Sequence, residues 1–318
     1  MLLDARDRAI LGLLESDSRM PVSHIAKKVR LSKDGVAYRI RRMGAEGVIV
    51  GFYTVLNITK LGLLAHKVTI KLQNAEPKKE AEIIDYLKTA EIVGRLVNCD
   101  GRWDLMFITW TESTYEFDKF MTKFMDKYGS FVQEKEFNII TESHSCKRKY
   151  LVATKPEESV YSGAPSRARM DEVDLSIVKL MANDSRARLV DLAKEVGMTP
   201  EAVRQRVKNL IDKDVMQKFR PILNESALGR QFYNVMIRLH TTHGIERMFE
   251  YFKHHPSVIH YSKYNGTFDL GVDVEIEGPD KFREMTSELK TNFAKEIRNY
   301  EPLLVYKQHK ITYSPFNR

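Results

Sequence analysis

The chain has 318 residues, 51 Lys+Arg against 43 Asp+Glu, a formal net charge of +8 and 43% hydrophobic residues. That balance supplies cores and a charged surface, which excludes wholesale disorder, and no apolar run approaches the ~18–20 residues that cross a bilayer. Two cysteines, Cys99 and Cys146, are too few for a disulfide framework or a thiolate zinc site, and MLLDARDRAI puts acids where a signal peptide needs basic and then apolar residues. A cytoplasmic protein with no membrane association is expected.

In chain order, Asp4 is placed to cap a first helix with Ile10, Leu13 and Leu14 on its apolar side. Val22, Ile25, Ala26 and Val29 fit a short second helix. Ser32 then caps a third, with Val36, Ile40 and Met43 inward, Lys33, Asp34, Tyr38, Arg41 and Arg42 outward, and Arg39 at the edge. Two short helices joined by a tight turn, the second bearing long donors, is how a helix-turn-helix meets a major groove. The plain alternative is a three-helix unit with an ordinary solvated face.

Period-two alternation across His66–Leu72 follows, then a helix over PKKEAEIIDYLKTA. Two strands, EIVGRLV and WDLMFITW, come next, then a helix with Phe117, Phe120, Met121 and Phe124 inward, and a last strand near 131–142. This βαββαβ order predicts a split, ferredoxin-like sheet with helices on one face. Val68, Phe107 and Thr109 are expected on the other face, ready to pair with a second domain. The segment 151–169 has Pro, Gly and Ser punctuation and reads as a linker.

Beyond it the pattern begins again. A shift of 167 residues, the step from Asp4 to Asp171, also pairs Asp7 with Asp174, Asp17-Ser18-Arg19 with Asp184-Ser185-Arg186, Arg39 with Arg206 and Leu56-Asn57 with Leu223-Asn224. Further on, GRWDL at 101–105 meets GTFDL at 266–270. The chain is a tandem duplication. Its expected organisation is a head at 1–50, a βαββαβ domain at 51–150, the linker at 151–169, a second head at 170–219 and a second βαββαβ domain at 220–318. In the second head, Thr199 caps the third helix with Pro200 at its first position, and Glu201, Arg204, Gln205 and Lys208 face outward. Residues 1–50 hold 10 Lys+Arg against 6 Asp+Glu, whereas residues 170–219 hold 9 of each. The first head should therefore dominate salt-sensitive attachment to a polyanion.

With these residues in place, the sequence closely resembles the Lrp/AsnC family of transcription regulators. Both copies carry the run of Asp, apolar helix, Asp-x-Arg, second helix, Ser/Thr cap, Val-x-x-Arg and Leu-Asn-x-x-x-Leu-Gly, followed by a GxxD turn at 101–104 and at 266–269. The resemblance implies an α+β chain of two winged helix-turn-helix domains alternating with two βαββαβ ferredoxin-like domains, the latter paired face to face with small effectors, often amino acids, at their interface. It implies double-stranded DNA as partner, read by Ser32, Lys33, Tyr38, Arg39, Arg41 and Arg42 in one copy. In the other copy the readers are Thr199, Arg204, Gln205, Arg206 and Lys208. It directs effector binding to Gly101, Arg102 and Asp104 and to Gly266, Thr267 and Asp269. Gly101 and Gly266 suit turns with positive φ, and the two aspartates are expected to hydrogen-bond within those turns. Ordinary members carry one copy per chain, so the two copies here are expected to form an internal pseudo-dimer able to associate into homo-oligomers.

No catalytic constellation, cofactor motif or metal-ligand spacing is present; His254-His255 and His144-Ser145-Cys146 lack nearby partners at ligand spacing. The chain is expected not to be an enzyme. One rival is a siroheme decarboxylase-like enzyme, which shares this architecture and would need a His/Arg-rich pocket near VIHYSKYNGTFDL. His260 and Tyr261 stand there, but LVNCDGRWDL has no matching His. Another is a DNA-organising protein with little sequence preference.

Overall fold

The computed structural model describes residues 3–152 and 156–315. Residues 153–155 of the expected linker lie outside the described residues.

Each copy begins with three helices: α1 (Ala5–Ser16), α2 (Val22–Val29) and α3 (Lys33–Ala45), then α6 (Glu172–Ala182), α7 (Leu189–Glu195) and α8 (Pro200–Asp212) in the second. The starts are set locally. Asp4 accepts from the Asp7 N–H while Asp7 accepts from the Asp4 N–H, a capping box that Asp171 and Asp174 repeat. Each head then leads into a strand, β1 (Ile49–Leu56) or β7 (Met216–Leu223), and these two pair antiparallel across the copies with Tyr53 opposite Arg220.

The remaining strands are β2 (Leu64–Leu72), β3 (Val93–Asp100), β4 (Leu105–Thr111) and β5 (Val132–Cys146) in copy one, with helices α4 (Pro77–Thr89) and α5 (Thr114–Tyr128). Strand β6 (Glu158–Ser162) lies between the copies. Copy two supplies β8 (Gln231–Leu239), β9 (Val258–Gly266), β10 (Leu270–Ile276) and β11 (Ile297–Ile311), with α9 (Ile245–His254) and α10 (Pro279–Asn292). Strand β5 pairs first with β2 of its own copy and then with β9 of the other; β11 pairs with β8 and then with β3. The two sheets thus join edge to edge at both sides into one closed barrel, which leaves fewer strand edges open. Its inner faces meet across Ala65, Val97, Trp103, Met106, Ile140, Met236, Phe268 and Leu303.

Two expectations change. Val68 and Phe107 do not face the partner sheet; they sit in the core beneath α4 and α5, with Phe117 and Phe124, and Thr109 shares the side of Phe107 along β4. Alternation separates two faces but does not say which one the helices cover. The expected linker is also partly strand, because β6 extends the sheet along β5 from Glu142↔Ser162 to Cys146↔Glu158.

The copies are related by a pseudo-twofold visible in single bonds. The Ser18 and Ser185 hydroxyls meet at 2.7 Å. Ser18 N–H donates to Phe219 O and Ser185 N–H to Phe52 O; Asn57 N–H donates to Val215 O and Asn224 N–H to Val48 O. Each head also completes its core with the other copy's β1 or β7 segment: Leu223 at the end of β7 joins Ile10, Leu14 and Met43, while Leu56 at the end of β1 and Leu61 in the turn after it join Ile177, Met181 and Leu210. Among the described residues, no helix is long and apolar enough to cross a membrane.

Candidate DNA-binding helices and a central cavity

The side chains expected to read DNA divide into those that build the heads and those left facing out. Ser32 and Thr199 are caps, their hydroxyls accepting the N–H of Gly35 and Ala202. Arg39 donates to Asp4 and Asp7, each at 2.7 Å, and Arg42 also binds Asp7, which is 1% exposed. Arg206 repeats this with Asp171 and Asp174, each at 2.8 Å. The Asp7 N–H, then the Arg39 guanidinium, hold the Asp4 carboxyl down at about 2, so the pair stays ionised across ordinary pH. Arg39, Arg42 and Arg206 therefore lock α3 and α8 onto α1 and α6. The rest stay outward: Lys33, Arg41 and Tyr38 (58% exposed) on α3, and Arg204, Gln205 and Lys208 on α8. Arg204 is bridged to Glu201 one turn earlier, and Gln205 donates to Asn209 at 3.0 Å. Lys33 and Arg41 have no ion-pair partner among the described residues.

The GxxD turns are structural knots. Asp104 accepts from the Leu72 N–H at 2.7 Å and from Lys71 at 2.8 Å; Asp269 accepts from the Leu239 N–H at 2.7 Å. These carboxylates bind the neighbouring strands β2 and β8 rather than their own turns. Gly101 has the expected positive φ of 135°, with the Pro302 carbonyl 3.0 Å from where a Cβ would stand. Gly266 does not have positive φ; it is required by close approach instead, since a Cβ would come within 2.4 Å of Phe137 O on β5. Arg102 is engaged by Glu301 and Glu134 at the barrel surface, and Thr267 is exposed.

A feature not expected from sequence lies between the β1–β7 ribbon and the barrel. It is a cavity of about 470 Å³ lined by both copies, including Val55, Ile108, Trp110, Ile140 and Tyr161, and by Ile222, Phe232, Ile259, His260 and Val305. Its charged groups pair across the copies: Arg95 donates to Asp273 at 3.2 Å and Arg148 to Glu275 at 2.9 Å, Arg148 also binding Glu15 of its own copy at 2.8 Å. The Ser143 hydroxyl and His260 Nε2 lie 2.6 Å apart, and burial pulls His260 down to about 4, leaving its ring neutral. The register of Gly101 with Gly266 shows why no single copy could reveal this wall: Arg95 corresponds to His260, Ile108 to Asp273 and Trp110 to Glu275.

The pattern of the AsnC-type helix-turn-helix domain matches residues 3–43 and 170–211, the two three-helix heads. The HTH-type transcriptional regulator LrpA of Pyrococcus horikoshii is 34% identical over 109 residues, spanning 34% of this chain and 76% of that protein. This chain belongs to the Lrp/AsnC family. Another relative, the proline dehydrogenase transcriptional activator of Rhodobacter capsulatus, is 40% identical over 80 residues, 25% of this chain and 51% of that one. Among solved structures, the siroheme decarboxylase NirDL covers 99% of this chain and 95% of its own, with a TM-score of 0.67 at 12% identity. That likeness is one of fold: the duplicated Lrp/AsnC architecture also occurs in a single enzyme chain.

Proposed function

We propose that this Lrp/AsnC chain is a sequence-specific DNA-binding transcription regulator that reads duplex DNA with two unlike recognition helices, α3 and α8. The carrying observation is the division of labour on those helices. Arg39 and Arg206 hold each helix against its head, and Lys33, Tyr38 and Arg41, or Arg204, Gln205 and Lys208, are left to meet phosphates and base edges. The names of both relatives agree with this reading. A symmetric dimer matches a palindrome, whereas these heads should favour two unlike half-sites. Responsiveness to a small effector, amino acid or otherwise, belongs to the same reading. With Asp104 and Asp269 committed to β2 and β8, the turns would offer an effector Arg102, Thr267 and backbone amides.

Genome-wide mapping of bound sites, with and without added amino acids, tests the proposal. Discrete sites with unlike half-sites are expected, and uniform coverage of any duplex would favour a DNA-organising protein. The cavity and the full-length likeness to NirDL support one second reading, a tetrapyrrole-modifying enzyme. Against it, Arg95 and Arg148, the two arginines of the wall, are neutralised by Asp273, Glu275 and Glu15, which leaves a polycarboxylate macrocycle without counter-charge. A visible absorption band appearing when tetrapyrrole is added would revive that reading.

A further inference from the structure

The central cavity lies between the strands that carry the heads and the barrel, and its place is mechanical. Its roof includes Val50, Tyr53, Thr54, Val55 and Leu56 of β1 with Ile222 and Leu223 of β7, the strands that directly continue α3 and α8. Its floor is the barrel, with Ile140 on β5 and Val305 at the equivalent place on β11. A volume of about 470 Å³ is in the range that holds small organic molecules.

The wall also specifies chemistry. Among the described residues, apart from the neutral His260, Arg95 and Arg148 are its only cationic side chains, and both are held by carboxylates of the other copy; Glu225 adds a further acid. An anionic ligand would meet no free cation among them. The rest of the wall is largely apolar, with Ile108, Ile140, Phe232, Ile259 and Val305 among its residues.

We propose that this cavity is a binding site for an uncharged, mainly apolar small molecule, and that its occupancy repositions the β1–β7 ribbon and with it the two recognition helices. The first half of the proposal stands on the cavity alone; the second rests on the DNA-binding reading. The pocket depends on the duplication. In a symmetric homodimer the positions of Arg95 and His260 would be filled alike, and Asp273, the partner of Arg95, would be replaced by Ile108.

The test uses the full chain and two fluorescent probes that differ by one charge, N-phenyl-1-naphthylamine and its sulfonated relative 1-anilinonaphthalene-8-sulfonate. The uncharged probe should bind saturably, one per chain, and at least tenfold more tightly than the anion. Ile140→Phe and Val305→Phe, which fill the floor from opposite copies, should each weaken it at least tenfold; a variant whose thermal unfolding shows it misfolded is set aside and the other decides. If both misfold, quenching of native tryptophan emission by the bound probe decides, since Trp110 lines the cavity. Absence of saturable binding, binding indifferent to the substitutions, absence of quenching, or preference for the anion would each overturn the site. In a parallel titration of duplex DNA, saturating uncharged probe should shift affinity at least threefold; intact DNA binding that ignores a bound probe would overturn the coupling. Probe binding by a chain that binds no duplex at any salt concentration would overturn the DNA-binding reading and leave the site standing.

Discussion

The two heads have one skeleton and two surfaces. In both, an arginine at the middle of the third helix grips the capping-box aspartates of the first, Arg39 on Asp4 and Asp7 and Arg206 on Asp171 and Asp174. Outside that grip the equivalence lapses. Tyr38 stands where the other copy has Gln205, Arg41 where it has Lys208, and Arg42, a second hold on Asp7, where it has Asn209. The duplication therefore kept one arginine grip per head, while the outward-facing side chains and the second grip diverged. The βαββαβ halves show the same split. His66 stacks on Phe117 at 4.1 Å and Tyr233, its counterpart, stacks on Phe282 at 4.0 Å, with an interplanar angle of 11° in both.

That last pair offers the largest effect. Burial lowers the His66 pKa to about 4, so between there and its unfolded value of 6.5 the unfolded chain binds the extra proton. Stability contributed by the neutral ring is present above 6.5 and is lost as pH falls toward 4, by up to about 3 kcal/mol. Denaturant unfolding followed across this range should show the loss, and His66→Tyr, which copies the second half, should reduce it to about the share that buried His260 contributes over the same range. If the variant keeps the same acid slope, the two halves do not differ here.

Next come the grips. Arg206→Ala strips Asp174 of its only cation among the described residues and should cost about 2 kcal/mol, whereas Arg39→Ala leaves Arg42 on Asp7 and should cost about 1 kcal/mol. Hydrogen exchange over α6–α8 and α1–α3 reads the two separately, and equal losses would mean that Arg42 gives no backup. For DNA, Lys33→Ala with Arg41→Ala should lower the magnitude of the salt-dependence slope by nearly 2, at about 0.9 per phosphate contact. Arg204→Ala with Lys208→Ala should lower it less, because Arg204 is already bridged to Glu201. The smallest contrast is a null one. Ser18→Ala and Ser185→Ala each remove one side of a shared hydrogen bond and should cost the same, about 1 kcal/mol.

Much of this is legible in the amino-acid order. Asp4, Ser32, Thr199 and Pro200 mark helix starts because capping is local, and each lies where its spacing indicates. What could not be read required contacts distant in sequence. Nothing around Arg39 announces that its carboxylate partners lie at Asp4 and Asp7, so long basic side chains on α3 look alike until one sees which is anchored. Val68 and Phe107 show an alternating pattern in either orientation, and the helices chose the face. The residues of the cavity are spread from Val50 to Tyr313 and mean nothing until the copies close on each other.

By itself the amino-acid order settled the duplication, the order of helices and strands in each half and the family, because periodicity, caps and repeats are short-range or additive signals. Tertiary structure decided which copy pairs with which strand, that β1 and β7 form one ribbon beneath two heads, and that Arg95 of one half answers Asp273 of the other. Those outcomes depend on closing the barrel, where burying both inner faces and satisfying both sheet edges act together, and no single stretch of chain carries that sum.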